Sequence, residues 1–154
     1  MDIDKKINIL ALSGSLRKKS SSIAVLKSLS GLAITKAGFK IYDTLDGLPH
    51  FSPDREEGTQ EVNDFRHALQ EADGIVICTP EYAFGVPGTL KNALDWVVSS
   101  GELNEKPVIA ISVSPLPSGG DKALASLLLT LSALGTRLDA EAALSIPVIN
   151  KKLN

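Results

Sequence analysis

One cysteine, two histidines and an aromatic content of 5% leave this sequence of 154 residues with few side chains for redox or metal chemistry. With Cys78 alone, an internal disulfide and any CxxC metal or redox pair are excluded. Cys78 falls inside the apolar run GIVICT (74–79), where a thiol is expected to be buried and inert, because free cysteine is among the most buried residue types. His50 and His67 are well separated and fit no metal-ligand spacing, and His67 is expected on the polar side of a helix, facing solvent. A surplus of charge of one sign is missing too: 16 Lys and Arg against 18 Asp and Glu leave −2. That balance argues against nucleic acid or an anionic membrane as a bulk partner, while allowing a local basic pocket for one phosphate. No run approaches the roughly 20 apolar residues of a membrane span. The apolar stretch Ile7–Leu12 follows Asp2 and Asp4 and runs into polar residues where a small-residue cleavage site would lie, so a cytoplasmic location is expected.

What is present is enough for one globular unit spanning residues 1–154: 44% hydrophobic and 22% charged residues. Short apolar runs alternate with longer amphipathic ones, the βαβ pattern of a parallel sheet. Strands are expected at Ile7–Leu12, Phe39–Asp43, Gly74–Thr79, Val108–Val113 and Leu144–Ile149. The first, third and fourth are almost continuously apolar, as strands covered by helices on both faces must be. Helices are expected at Ser22–Lys36, Glu61–Ala72, Leu90–Val98 and Lys122–Leu134, the last with Gly135 placed for a C-cap. Residues 44–60 are expected to form a long loop. Right-handed crossovers then predict an α/β doubly wound sheet of order 2-1-3-4-5, with ligands bound beyond the carboxyl ends of the strands where the order reverses.

Two loops leaving those ends carry the chemistry. The first, GSLRKKSSS (14–22), precedes a helix, whose N-terminus has unpaired N–H groups and about +0.5 charge. Ser15, Ser20 and Ser22 can each donate a hydroxyl hydrogen bond to a phosphate there, and Arg17 can add a planar fork. Ordinary helix capping by the serines and a solvated Arg17 fit this loop equally well. It matches neither GxxxxGKS/T nor GxGxxG, which disfavours Mg-nucleotide and dinucleotide sites. The second, TPEYAFGVPGTLKNALDW (79–96), exposes two aromatics and a glycine between Pro80 and Pro87. Its peptide groups can meet the edge of a planar heterocycle while side chains wall its face; packing against a neighbouring loop or subunit is the alternative for Tyr82 and Phe84. Trp96, late in the helix, is expected to pack in the core. No Ser-His-Asp set, acid–base pair or metal cluster is evident, so no catalytic side chain is assigned.

These two segments together resemble the NADPH-dependent FMN reductase family, whose pattern is roughly GSxRxxSxN followed by PEYxxxxPGxLKNAxDW; the resemblance runs from Ile7 to about Gly135. It implies a flavodoxin-like fold, non-covalent FMN, NAD(P)H as reductant and a small acceptor such as a quinone, azo compound, free flavin or metal oxyanion. It also implies a homodimer or tetramer, with the helix holding Trp96 near the interface. By the resemblance, Ser15, Arg17, Ser20 and Ser22 hold the FMN phosphate. Pro80, Glu81, Tyr82 and Ala83 meet the ribityl chain and isoalloxazine, and Ser114, Gly119 and Gly120, in a third loop after the fourth strand, flank the ring. Ser22 replaces a frequent Asn, so one phosphate contact is expected to be shortened; Ala83 and Gly85 replace a frequent Asn and Ser, so ring recognition is expected to rest more on the backbone. The terminal helix usual in the family is missing after the fifth strand, so one sheet face is expected to be less covered. A flavodoxin-type electron carrier and a flavin-free interaction domain are the alternative functions on this scaffold.

Overall fold

Five apolar segments pair side by side, all parallel, in the computed structural model, which describes residues 6–32, 37–55 and 57–153. In chain order they are β1 (Ile7–Ser13), α1 (Ser21–Leu32), β2 (Ala37–Tyr42), α2 (Gln60–Glu71), β3 (Gly74–Pro80), α3 (Gly88–Asp95), β4 (Val108–Val113), α4 (Asp121–Ala133) and β5 (Ala143–Ile146). The sheet order is β2-β1-β3-β4-β5, as the sequence predicts. Strand β3 lies at its centre and is buried from Gly74 to Thr79, which explains its unbroken apolar run. Helices α2, α3 and α4 cover one face around Leu12, Phe65, Leu69, Ile77, Leu94, Trp96 and Leu127. The other face carries α1, whose Val25 and Leu26 pack on Ala11, Val76, Cys78 and Ile111. A 3-10 turn (Ile149–Lys151) adds Ile149 to that second cluster. No fifth α-helix occurs among the described residues. On this face Ile109 and Leu144 remain 45% and 52% exposed, and Leu144 shares it by its register with Ile111.

The element boundaries shift where hydrogen bonding overrides the apolar pattern. Helix α3 stops at Asp95 because Val97 N and Val98 N bond three residues back, to Leu94 O and Asp95 O, and the chain tightens into turns. Strand β5 stops at Ile146, since Pro147 has no N–H to give and Val148 adopts φ +50°. The expected last turn of α1, residues 33–36, lies outside the described residues. The loop at 44–60 contains two short 3-10 turns, Leu45–Gly47 and Pro53–Arg55. Gly135 sits just past α4 at φ +68°, the C-cap geometry its position predicts.

Cys78 is fully buried, and burial pushes its thiol from the usual 9.0 up to about 12. The Ser22 hydroxyl lies close enough to oppose this slightly, yet not in hydrogen-bond geometry. The folded protein is therefore expected to leave Cys78 unmodified by a thiol-reactive disulfide reagent near pH 8, with stoichiometric labelling after unfolding in urea. Because the folded thiol holds its proton to higher pH than the unfolded one, its linkage leaves stability intact below about pH 9 and lowers it as pH rises toward 12. Urea melts across that range measure the loss.

Candidate functional site

The carboxyl ends of β1 and β3 are locked to each other where the loops leave the sheet. Gly14 N donates to Cys78 O at 2.8 Å. Ser13 Oγ donates to Ser15 O at 3.1 Å and accepts from Ser15 N at 3.2 Å, so both serines are buried in a self-satisfied turn. Ser15 Oγ then accepts from Arg17 N at 3.3 Å. Ser20 is the N-cap of α1: its hydroxyl oxygen accepts from Ile23 N at 3.2 Å, and its carbonyl from Ala24 N at 3.0 Å. The main-chain N–H groups of Leu16, Lys18, Lys19, Ser21 and Ser22 donate to nothing among the described residues. Ser22 Oγ is likewise buried without a partner. The Arg17 side chain is exposed and makes no ion pair among the described residues. A row of open N–H groups at a helix start and an exposed guanidinium together suit a phosphate, whereas the buried Ser22 hydroxyl lies against Cys78. On this observation the loop fits the phosphorylated end of FMN.

The second loop is built differently from what the motif alone suggests. Tyr82 N donates to Gly85 O at 2.9 Å and Gly85 N to Tyr82 O at 3.0 Å, closing a tight two-residue turn. Its tip residues Ala83 and Phe84 take φ +49° and +61°, a conformation costing side-chain-bearing residues about 1–2 kcal/mol each. The turn presents the N–H groups of Ala83 and Phe84 unbonded among the described residues, with Tyr82 half-exposed and Phe84 78% exposed. Pro80 closes β3, its carbonyl accepting from Thr79 Oγ1 at 2.9 Å. The Glu81 carboxylate is directed away from the turn: Oε2 accepts from Ala123 N at 2.9 Å, in the first turn of α4, where the helix dipole favours it. Glu81 thus ties the second loop to the third.

That third loop is held largely by its own chain. Ser114 Oγ accepts from Leu116 N at 3.1 Å, and Gly119 N donates to Leu116 O at 3.2 Å. Gly119 O accepts from Ser112 Oγ at 2.7 Å. Gly119 and Gly120 both have positive φ, and a Cβ at Gly119 would meet Pro147 N at 3.1 Å, so this bend demands glycine.

A cleft of about 590 Å³ brings the first two loops together, lined by Gly14, Leu16, Arg17, His50, Tyr82, Pro87, Gly88 and Thr89. Ser15 lines instead a neighbouring depression of about 430 Å³ that opens toward Asp43 and Asp46 after β2, and Arg17 lines both. Ser20, Ser22, Pro80, Glu81 and Ala83 line neither of these, and nor do Ser114, Gly119 and Gly120. A larger groove, about 820 Å³, runs between the β2 edge and α2, but no loop from the ends of β1, β3 or β4 reaches it. Sheets of this kind bind ligands where the strand order reverses, and the 590 Å³ cleft lies at that place.

Three residues that the sequence pattern does not assign to the site shape it. Asn92 spans a bend of the 44–60 loop: Nδ2 donates to Pro49 O at 3.0 Å and Oδ1 accepts from Phe51 N at 2.8 Å. Trp96 Nε1 also donates to Pro49 O, at 2.8 Å. Between those anchors stands His50. The KNAxDW part of the second motif therefore docks this loop onto α3.

The NADPH-dependent FMN reductase family model matches residues 7–149 of the chain. A quinone reductase of Escherichia coli is 34% identical over 123 residues, covering 77% of this chain and 65% of the relative. An NADPH:quinone oxidoreductase of Arabidopsis thaliana is 38% identical over 120 residues, covering 74% of this chain and 61% of the relative. The chain thus spans less than two thirds of the length of either. Among solved structures, FerB, a flavoenzyme NAD(P)H:(acceptor) oxidoreductase from Paracoccus denitrificans, superposes with a TM-score of 0.83 at 29% identity, covering 91% of this chain and 79% of FerB. With the fold, the paired loops and a match running almost from end to end, the chain belongs to the NADPH-dependent FMN reductase family.

Proposed function

We propose that this protein holds FMN non-covalently across the cleft between the β1–α1 and β3–α3 loops and passes reducing equivalents from NAD(P)H to a small acceptor of the quinone or azo class. The observation that carries the reading is the meeting of Arg17 and Tyr82, distant in sequence, on the walls of one cleft. When bound, FMN supplies the hydride chemistry; the chain's own residues bind, orient and shield it. The N–H groups of the α1 start and the Arg17 guanidinium hold the phosphate, with Ser15 and Ser20 fixing the loop and Ser22 offering a further hydroxyl. Pro80, Tyr82 and the unbonded N–H of Ala83 face the ring system. Glu81, bonded to α4, sets the spacing to the loop holding Ser114, Gly119 and Gly120. A homodimer or tetramer is the assembly we infer, checked by light scattering; Phe84 and Val98, 78% and 61% exposed, lie at either end of α3.

The absorption spectrum of the purified protein after incubation with FMN, followed by NAD(P)H oxidation with a quinone and with free FMN as acceptors, tests this reading. A protein that takes up no FMN ends it, and one that binds FMN without steady NAD(P)H oxidation is an electron carrier instead. Arg17→Ala is expected to weaken FMN binding by about 1.5–3 kcal/mol through loss of a charge-assisted bond, roughly tenfold or more in Kd by fluorescence titration. An unchanged Kd returns Arg17 to the solvent.

A further inference from the structure

Resting on the oxidoreductase reading above, we propose that His50 delivers the proton to the acceptor, a quinone-class carbonyl compound bound in the cleft. The loop around His50 is built as a mount. Pro49 O and Phe51 N, the peptide groups on either side of it, are both held by the Asn92 amide, at 3.0 and 2.8 Å. Trp96 Nε1 adds a second bond to Pro49 O at 2.8 Å, and the Phe51 ring packs edge-on against Trp96 with centroids 5.1 Å apart. His50 itself is exposed and lines the cleft together with Leu16, Arg17 and Tyr82. The bonds on either side fix the main chain of position 50 at the cleft wall, and the imidazole extends from that fixed point into solvent.

The chemistry needs such a group and the cleft offers one. Two-electron reduction of a quinone to the hydroquinone consumes one hydride equivalent and one proton; NAD(P)H gives up the hydride equivalent and brings no proton. The titratable groups lining the cleft are Arg17, Tyr82 and His50, and the α3 wall adds only Pro87, Gly88 and Thr89. Arginine does not release its proton and tyrosine ordinarily does so near pH 10, whereas histidine exchanges protons in the neutral range. A ring N–H bond of His50 breaks as the O–H bond forms on the acceptor oxygen, and the neutral imidazole regains a proton from water at the open mouth.

The test compares His50→Gln, which keeps an N–H donor and gives up no proton, with His50→Leu, which keeps neither, in the FMN-loaded protein. Turnover with 1,4-benzoquinone is divided by turnover with ferricyanide, which accepts single electrons and no proton. The ratio is expected to fall about tenfold or more in both variants. Hydroquinone binding, read by quenching of flavin fluorescence at saturating FMN, is expected to weaken in His50→Leu and persist in His50→Gln. Normal FMN uptake with an unchanged ratio overturns the proton-donor role alone. Absence of saturable FMN uptake by the unaltered protein overturns the oxidoreductase reading and this role with it.

Discussion

Trp96→Ala is expected to lower the free energy of unfolding by about 3–5 kcal/mol, the range for removing a large buried aromatic. Trp96 is 1% exposed and sits in the larger of the two core clusters, so truncation removes a large set of packing contacts. Its ring is also the surface against which Phe51 packs, and its Nε1–H is one of two donors to Pro49 O. A loss of this size is a large part of the 5–15 kcal/mol that holds a domain folded, so the midpoint of a urea melt should move far and the 49–51 bend should loosen with it. Trp96→Phe separates the two contributions. It keeps an aromatic against Phe51 and forfeits the N–H, while Pro49 O retains its bond from Asn92, so a cost of about 1 kcal/mol for the polar contact is expected, plus a smaller packing loss. The bonds from Arg66 Nε and Nη2 reach the Trp96 carbonyl, at 3.2 and 2.8 Å, and survive both substitutions. Equal losses for Ala and Phe would show that the bond, and not the ring, holds the loop.

The layout of the sheet was legible because burial on both faces leaves a strong mark. Strands β1, β3 and β4 could not be written with polar residues at alternate positions, so their apolar runs stand out. Element ends were less legible because main-chain bonding sets them. The apolar stripe continues past Asp95 to Val97 and Val98, yet the chain there leaves the α-helical hydrogen-bond pattern. Strand β2, at the sheet edge, is only partly buried along its length, which is why its apolar signal is weaker and its start is displaced from Phe39 to Ala37.

At the site, residue type was legible and direction was not. The serines, Arg17 and the aromatic loop stand out in sequence, but whether a hydroxyl faces a ligand or its own backbone depends on torsions. Ser20 caps α1, and Glu81 reaches across to α4 through a contact 42 residues away. The Asn92 clamp on Pro49 and Phe51 joins positions 43 and 41 residues apart, and such pairs leave no periodic trace. His50 gives no signal for the same reason: alone and unspaced from any other ligand, it acquires meaning only once α3 holds its neighbours in place.

Gly14→Ala is expected to damage folding and cofactor uptake together, since Gly14, just past β1, is bonded to Cys78 O of β3 and lines the cleft. A Cβ there would stand 2.8 Å from Thr79 Cβ and 3.1 Å from Thr79 Cα, with Thr79 Oγ1 nearer still. Side-chain carbons do not approach one another as closely as the shorter of these distances, and Thr79 cannot retreat. It is fully buried on β3, and its hydroxyl is bonded to Pro80 O at 2.9 Å. The bond from Gly14 N to Cys78 O at 2.8 Å must therefore stretch, moving the β1–α1 loop away from the β3–α3 loop. Overpacking of this kind costs about 1–3 kcal/mol, read as a shift in the urea midpoint. The larger effect is expected in FMN titration, because a ligand gripped at both ends by Arg17 and the Tyr82 turn depends on their separation; tenfold or weaker binding is anticipated, equal to about 1.4 kcal/mol. Thr79→Gly removes the facing side chain, so that the added methyl meets only the main chain of position 79, at 3.1 Å. In a double-mutant cycle the pair should be less harmful than the sum of its members, in stability and in FMN affinity alike. Strict additivity would place the cause elsewhere than in this pair of facing groups, and FMN binding by Gly14→Ala at full strength would mean that the two loops move as one body and the cleft tolerates the displacement.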